Sequence, residues 1–70
     1  IAYNNFHDIN LKNANLKNTK LFHADMNSAD LSNSNLENAD LRGADLRNAV
    51  GFTAKSLEVA IVDEKTKIRD

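Results

Sequence analysis

The sequence predicts an all-β solenoid, and three observations predict it. Nine five-residue units run without a gap through residues 4–48, centred on Phe6, Leu11, Leu16, Leu21, Met26, Leu31, Leu36, Leu41 and Leu46. The residue two before each centre is usually small, as at Ala14, Ala24, Ala29, Ser34, Ala39 and Ala44. The residue one before is Asn or Asp in eight of the nine units, with Lys20 the exception.

A period of five suits neither ordinary element. On an α-helix, five steps overshoot a full turn by about 140°, so the apolar centres would spiral around the helix. On a flat strand, residues five apart face opposite sides. All nine centres are buried together only if each unit holds a short strand and then a corner, so that the chain coils and every unit turns the same face inward. Asn and Asp are depleted in flat strands but favoured in turns, where their side chains bond nearby backbone. A corner in every unit uses many of them. Glycine is scarce and proline absent, so the corners do not depend on those two residues.

The runs Ala24-Asp25-Met26-Asn27-Ser28, Ala29-Asp30-Leu31-Ser32-Asn33, Ala39-Asp40-Leu41-Arg42-Gly43 and Ala44-Asp45-Leu46-Arg47-Asn48 resemble the pentapeptide-repeat family, whose unit is A(D/N)LXX. The resemblance covers about two-thirds of the chain. It implies a right-handed quadrilateral parallel β-helix with four units per coil, here about two coils, and a bacterial, often cyanobacterial, setting. Residues twenty apart then stack. The inward columns become Phe6-Met26-Leu46, Leu11-Leu31, Leu16-Leu36 and Leu21-Leu41. The small-residue columns become Asn4-Ala24-Ala44, Ile9-Ala29-Ala49, Ala14-Ser34 and Thr19-Ala39, with Asn4, Ile9 and Thr19 departing from the family's preference in the first coil.

Beyond the repeats, Gly51 stands where the next centre is due, so the repeat stops there. Thr53 caps a helix expected over about 54–61, and Phe52 and Leu57 form a hydrophobic staple across the cap. Leu57, Ala60 and Ile61 share one face and cover the last rung. The stretch from Gly51-Phe52-Thr53 through Ser56, Leu57, Ala60, Asp63 and Thr66 is similar to the ending of many bacterial members of the family. The expected organisation is therefore a repeat β-helix over 1–50 and a C-terminal cap and tail over 51–70. At the other end, Ile1 and Tyr3 keep the repeat register and nothing resembles a cap. End-to-end self-association through the N-terminal coil is the expected consequence, since an uncovered rung invites pairing.

Seventy residues with a formal net charge of −1 carry neither a nucleic-acid footprint nor an acidic solvating chain. There is no cysteine, which excludes disulfide and thiol chemistry. No apolar run approaches the roughly 20 residues that span a bilayer. The chain opens on Ile1 and is read as a soluble fragment or processed product, with any targeting segment upstream.

Chemistry-bearing residues are few. His7, Asp8 and His23 alone invite a metal or acid–base reading, without a third ligand at zinc-like spacing. Outward columns pair Lys17 with Glu37, Lys20 with Asp40 and Phe22 with Arg42, read as cross-rung surface pairs. Asn13-Asn33, Asn18-Asn38 and Asn15-Asn35 are expected to form side-chain ladders. Ser28, Ser32, Ser34 and Ser56 lack the histidine and flanks of a nucleophile. The expectation is a non-catalytic structural or protein-interaction scaffold with no catalytic, cofactor or metal residues, no cofactor, a protein partner, no membrane span and no direct nucleic-acid binding. The alternative, implied by the family, is a topoisomerase-inhibitor-like regulator that mimics DNA through Asp25, Asp30, Asp40 and Asp45. Lys12, Lys17, Lys20, Arg42 and Arg47 offset those acids.

Overall fold

A computed structural model describes residues 5–68. The register of Ile1, Tyr3 and Asn4 lies outside them. Parallel bridges join Asn5 to Asp25, Asn10 to Asp30, Asn15 to Asn35 and Lys20 to Asp40, and continue from Asp25 to Asp45 and from Asp30 to Val50. Every one of these steps is twenty residues, so one coil holds four units and has four sides. At each side a single residue uses both backbone groups: Asp30 N–H donates to Ile9 C=O at 2.9 Å, and Leu11 N–H donates to Asp30 C=O at 2.8 Å. The rungs are one bridging residue long and not short strands, because the remaining four residues of each unit make the corner.

The corner explains the sequence unit. The carbonyl of each centre accepts the N–H three residues on, as from Ala14 to Leu11 at 3.0 Å and from Ala24 to Leu21 at 3.1 Å. The second residue after the centre has positive φ in all nine units: Asp8, Asn13, Asn18, His23, Ser28, Asn33, Asn38 and Asn48 between 58° and 64°, and Gly43 at 70°. A positive φ at the third residue is what a type II turn requires. Asn, Asp and Gly enter that conformation at least cost, which accounts for Asn at five of the nine positions.

The residue before the centre locks the same corner from its side chain. Oδ1 of Asn5, Asn10, Asn15, Asp25, Asp30, Asn35, Asp40 and Asp45 each accepts the N–H two residues on, at 2.9–3.1 Å. These bonds replace the expected Asn ladders. Asn15 and Asn35 bridge through their backbones while their side chains serve their own turns, and no Asn–Asn side-chain bond is present among the described residues.

Inside the coil lie Leu16, Leu21, Met26, Leu31, Leu36, Leu41 and Leu46 with Ala24, Ala29, Ala39 and Ala44, all buried. Leu11, expected inside, is only half-buried, and so are Phe6, Ile9 and Ala14 around it. Each packs against the buried core.

The C-terminal segment does more than cap. Helix α1 (Ala54–Val59) starts at a capping box, in which Thr53 and Ser56 each bond the other's backbone. It ends two residues before the expected boundary. Ala60 turns extended, and Ile61 takes a rung position, donating to Ala39 C=O and accepting from Leu41 N–H, both at 2.8 Å. Two rung bonds displace the last helical turn. Ile61 is consequently 44% exposed and does not cover the coil; Phe52, Leu57 and Ala60 pack against the core instead. After a turn at 63–66, Lys67 pairs with Asp45, donating to Ala44 C=O and accepting from Leu46 N–H. The register is now 21 residues at Ile61 and 22 at Lys67, because the segment holding α1 adds one residue and the turn after Ile61 adds another. The molecule therefore has three coils, not about two, and measures 24 × 22 × 22 Å, a block and not a rod.

Candidate functional site

The two histidines do not meet. His7 Nδ1 lies 2.9 Å from Asp8 Oδ2 on the exposed surface of the first unit. His23 lies in another column, where its N–H donates to Arg42 C=O. Among the described residues no three His, Asp or Glu side chains are grouped to hold a metal ion.

His23 belongs to a shallow groove of about 300 Å³ with Phe22, Arg42 and Asp63. Its ring meets Phe22 edge-on, with centroids 6.2 Å apart. Gly43 makes this possible: a Cβ there would come within 2.6 Å of the imidazole. Beyond it, Asp63 Oδ1 accepts Gly43 N–H at 3.1 Å and Lys65 N–H at 3.0 Å. Burial works against the ionised Asp63, but those backbone N–H groups, with Thr66, hold its carboxyl below the usual range. His23, Gly43 and Asp63 stand twenty residues apart, but the repeat motif stops at Gly51 and does not extend the column to Asp63. The available signal was Gly43, a glycine where every other unit carries a side chain.

The outward pairs are partly as expected. Lys17 Nζ sits 3.1 Å from Glu37. Lys20 and Asp40 pair through their backbones, but the Asp40 carboxylate is held by the Arg42 guanidinium at 2.9 and 2.7 Å. Arg47 grips Asp45 in the same two-pronged way at 3.0 and 2.8 Å. These hydrogen bonds hold the Asp40 carboxyl below its ordinary range and bring Asp45 to about 2, while Arg42 is raised in turn. The Ser32 hydroxyl, 2.6 Å away, lowers Asp30.

A second groove, of about 310 Å³, runs between α1 and the side that carries Asn15 and Asn35. Leu36 forms its floor, Asn35 and Glu37 one wall, and Lys55, Ser56 and Val59 the other. Here the chain departs from the coil, and no residue takes the third-level rung above Asn35. Elsewhere at that level Leu31 N–H reaches Val50 and Leu41 N–H reaches Ile61. Leu36 N–H and Ser34 C=O have no hydrogen-bond partner among the described residues. Ser34 Oγ, shut away from solvent, has none either. Sequence reading missed this feature because it placed α1 outside the coil and not within it.

Residues 5–38 match the profile of the family described as pentapeptide repeats, in eight copies. The fold is similar to the crystal structure of a pentapeptide repeat protein (Rfr23) from the cyanobacterium Cyanothece 51142, with 30% sequence identity and a TM-score of 0.82. The alignment covers 96% of this chain and 45% of that protein, so the chain spans less than half of that protein's length. Among curated proteins none matches.

Proposed function

We propose that this chain, which belongs to the pentapeptide-repeat family, is a non-catalytic scaffold that presents flat, hydrogen-bonded sides to a protein partner. The observation that carries the reading is the double lock on each corner. A backbone turn bond and an Asn or Asp side-chain bond fix eight of the nine corners, so outward side chains stand at set positions on a rigid frame. Pre-organised side chains lose little entropy on binding. The family likeness supports a right-handed, quadrilateral coil over 1–50 with 51–70 as its cap, and no catalytic, cofactor or metal residues are assigned. No helix among the described residues is long and apolar enough to cross a membrane.

DNA mimicry gains no support from the acids themselves. Asp25, Asp30, Asp40 and Asp45 spend Oδ1 on their own turns, and Arg42 and Arg47 neutralise two of them. The half-exposed Phe6 and Leu11 support end-to-end stacking of two copies through the first coil, which sedimentation over a wide concentration range tests.

The scaffold reading is tested by charge reversal on separate sides, Lys17→Glu against Arg42→Glu, in the full chain. Capture of a specific protein, lost on one reversal and kept on the other with the fold intact in both, supports it. Capture indifferent to both reversals contradicts it.

A further inference from the structure

We propose that the groove between α1 and Asn35 is a docking slot for one short, extended, acidic peptide segment of a partner protein. The inference deepens the scaffold reading and rests on it. Its basis is the rung position that the chain leaves open. On the lower side of the same residue the pattern is complete: Asn35 N–H donates to Ala14 C=O at 2.9 Å and Leu16 N–H donates to Asn35 C=O at 2.8 Å. On the upper side the equivalent pair, Ser34 C=O and Leu36 N–H, has no partner among the described residues, because the chain runs into α1 where the next bridging residue belongs.

One residue of an incoming peptide satisfies both groups. Its N–H donates to Ser34 C=O and its C=O accepts from Leu36 N–H, in parallel with Asn35. This is strand addition at an exposed edge, reduced to a single rung. The groove lies at the small end of the range of about 300–1,000 Å³ that ligand sites occupy, so the bridging residue needs small neighbours. Its own side chain points outward, as the side chains of bridging residues do in this coil. Lys55 lines that wall and makes no ion pair among the described residues. Glu37, also in the groove lining, is held by Lys17 at 3.1 Å, so the unneutralised charge there is that of Lys55 and charge complementarity selects aspartate at the bridging position.

The probe is the peptide acetyl-Gly-Ser-Asp-Ala-Gly-amide, titrated into the isotope-labelled chain and followed by amide resonances. A single rung gives weak binding, of roughly millimolar Kd. The expected result is a saturable shift of the Leu36 amide, with further shifts confined to 34–37 and 55–59. The same peptide N-methylated at its aspartate lacks the donor and should leave Leu36 unmoved. Lys55→Glu, at an exposed helical position, should weaken binding several-fold with melting unchanged. A Leu36 amide indifferent to the peptide, or one shifted equally by the N-methylated form, overturns the slot. Partner capture through the other sides would survive that failure, so the two readings fall separately.

Discussion

The two ends of this molecule solve the same problem differently. In the first coil, Phe6, Ile9, Leu11 and Ala14 are half-buried, while Leu16 and Leu21 further along it are buried. In the third coil the repeat stops after the unit of Leu46, yet Leu46 and, beneath this coil, Met26, Leu31 and Leu41 are closed to within 1% exposure. The closure comes from residues that do not look like repeats: a two-turn helix, then Ile61 and Lys67 returning to the rungs in shifted register. A regular sequence thus gives a regular coil but no end. The end needs an irregular segment that still offers backbone groups at the right spacing.

Core substitutions should expose this asymmetry most strongly. Leu41→Asp buries an unpaired charge at a sealed position and should cost about 3–5 kcal/mol or abolish folding. Leu11→Asp, with solvent at hand, should leave a folded protein with a lowered melting temperature. Equal loss from the two would mean that the first coil is as well covered as the third.

The glycines sharpen the contrast between repeat and closing segment. Both have positive φ, 70° at Gly43 and 86° at Gly51. A Cβ on Gly51 meets the backbone of Ser32, whereas one on Gly43 meets the movable ring of His23. Gly51→Ala should therefore cost about 2 kcal/mol or more, and Gly43→Ala about 1 kcal/mol. Thermal melts of the pair check the order.

Acid should loosen the later coils first. Asp45 is held at about 2 against an ordinary 3.8, and Asp30, Asp40 and Asp63 are also lowered. Their contribution is present above the ordinary carboxylate range and is lost as pH falls through the folded values. Melting temperature should hold constant from neutral pH to about 5 and fall between about pH 4 and pH 2. Asp45→Asn should show a shallower fall over that window.

The smallest expected effect is at Ser34. Ser34→Ala places in that column the alanine already present at Ala14, and removes a buried hydroxyl without a partner. The melting temperature should stay level or rise, with a gain of up to about 1 kcal/mol.

Much of this architecture was legible in the sequence. The centres, the small residues and the Asx positions give the coil its inner and outer faces, and the likeness to a family with four units per coil gives the twenty-residue register. Thr53 marked the helix start correctly. The helix end was not legible, because Ile61 satisfies a helical face as well as a rung, and only tertiary pairing with Asp40 decides between them. Lys67 was hidden because it lies 22 residues from Asp45, out of step with the period of five, whereas Asp63 keeps the twenty-residue step from Gly43 but stands beyond the repeat motif. Positive φ at the corner was legible in principle from the Asn column, a residue type that suits a side-chain ladder as well as a corner. The groove above Asn35 could not be read at all, since it follows from where the chain leaves the coil.

The most direct measurement is native-state amide exchange, residue by residue. Leu31, Leu41, Leu46, Ile61 and Lys67 should be strongly protected, since their N–H groups all reach a rung partner. Rapid exchange is expected at Leu36, whose side chain is as buried as those of Leu31, Leu41 and Leu46 but whose N–H has no partner among the described residues. Protection at Leu36 equal to that at Leu31, or unprotected amides at Ile61 and Lys67, would contradict a third coil closed by the C-terminal segment and open at one side.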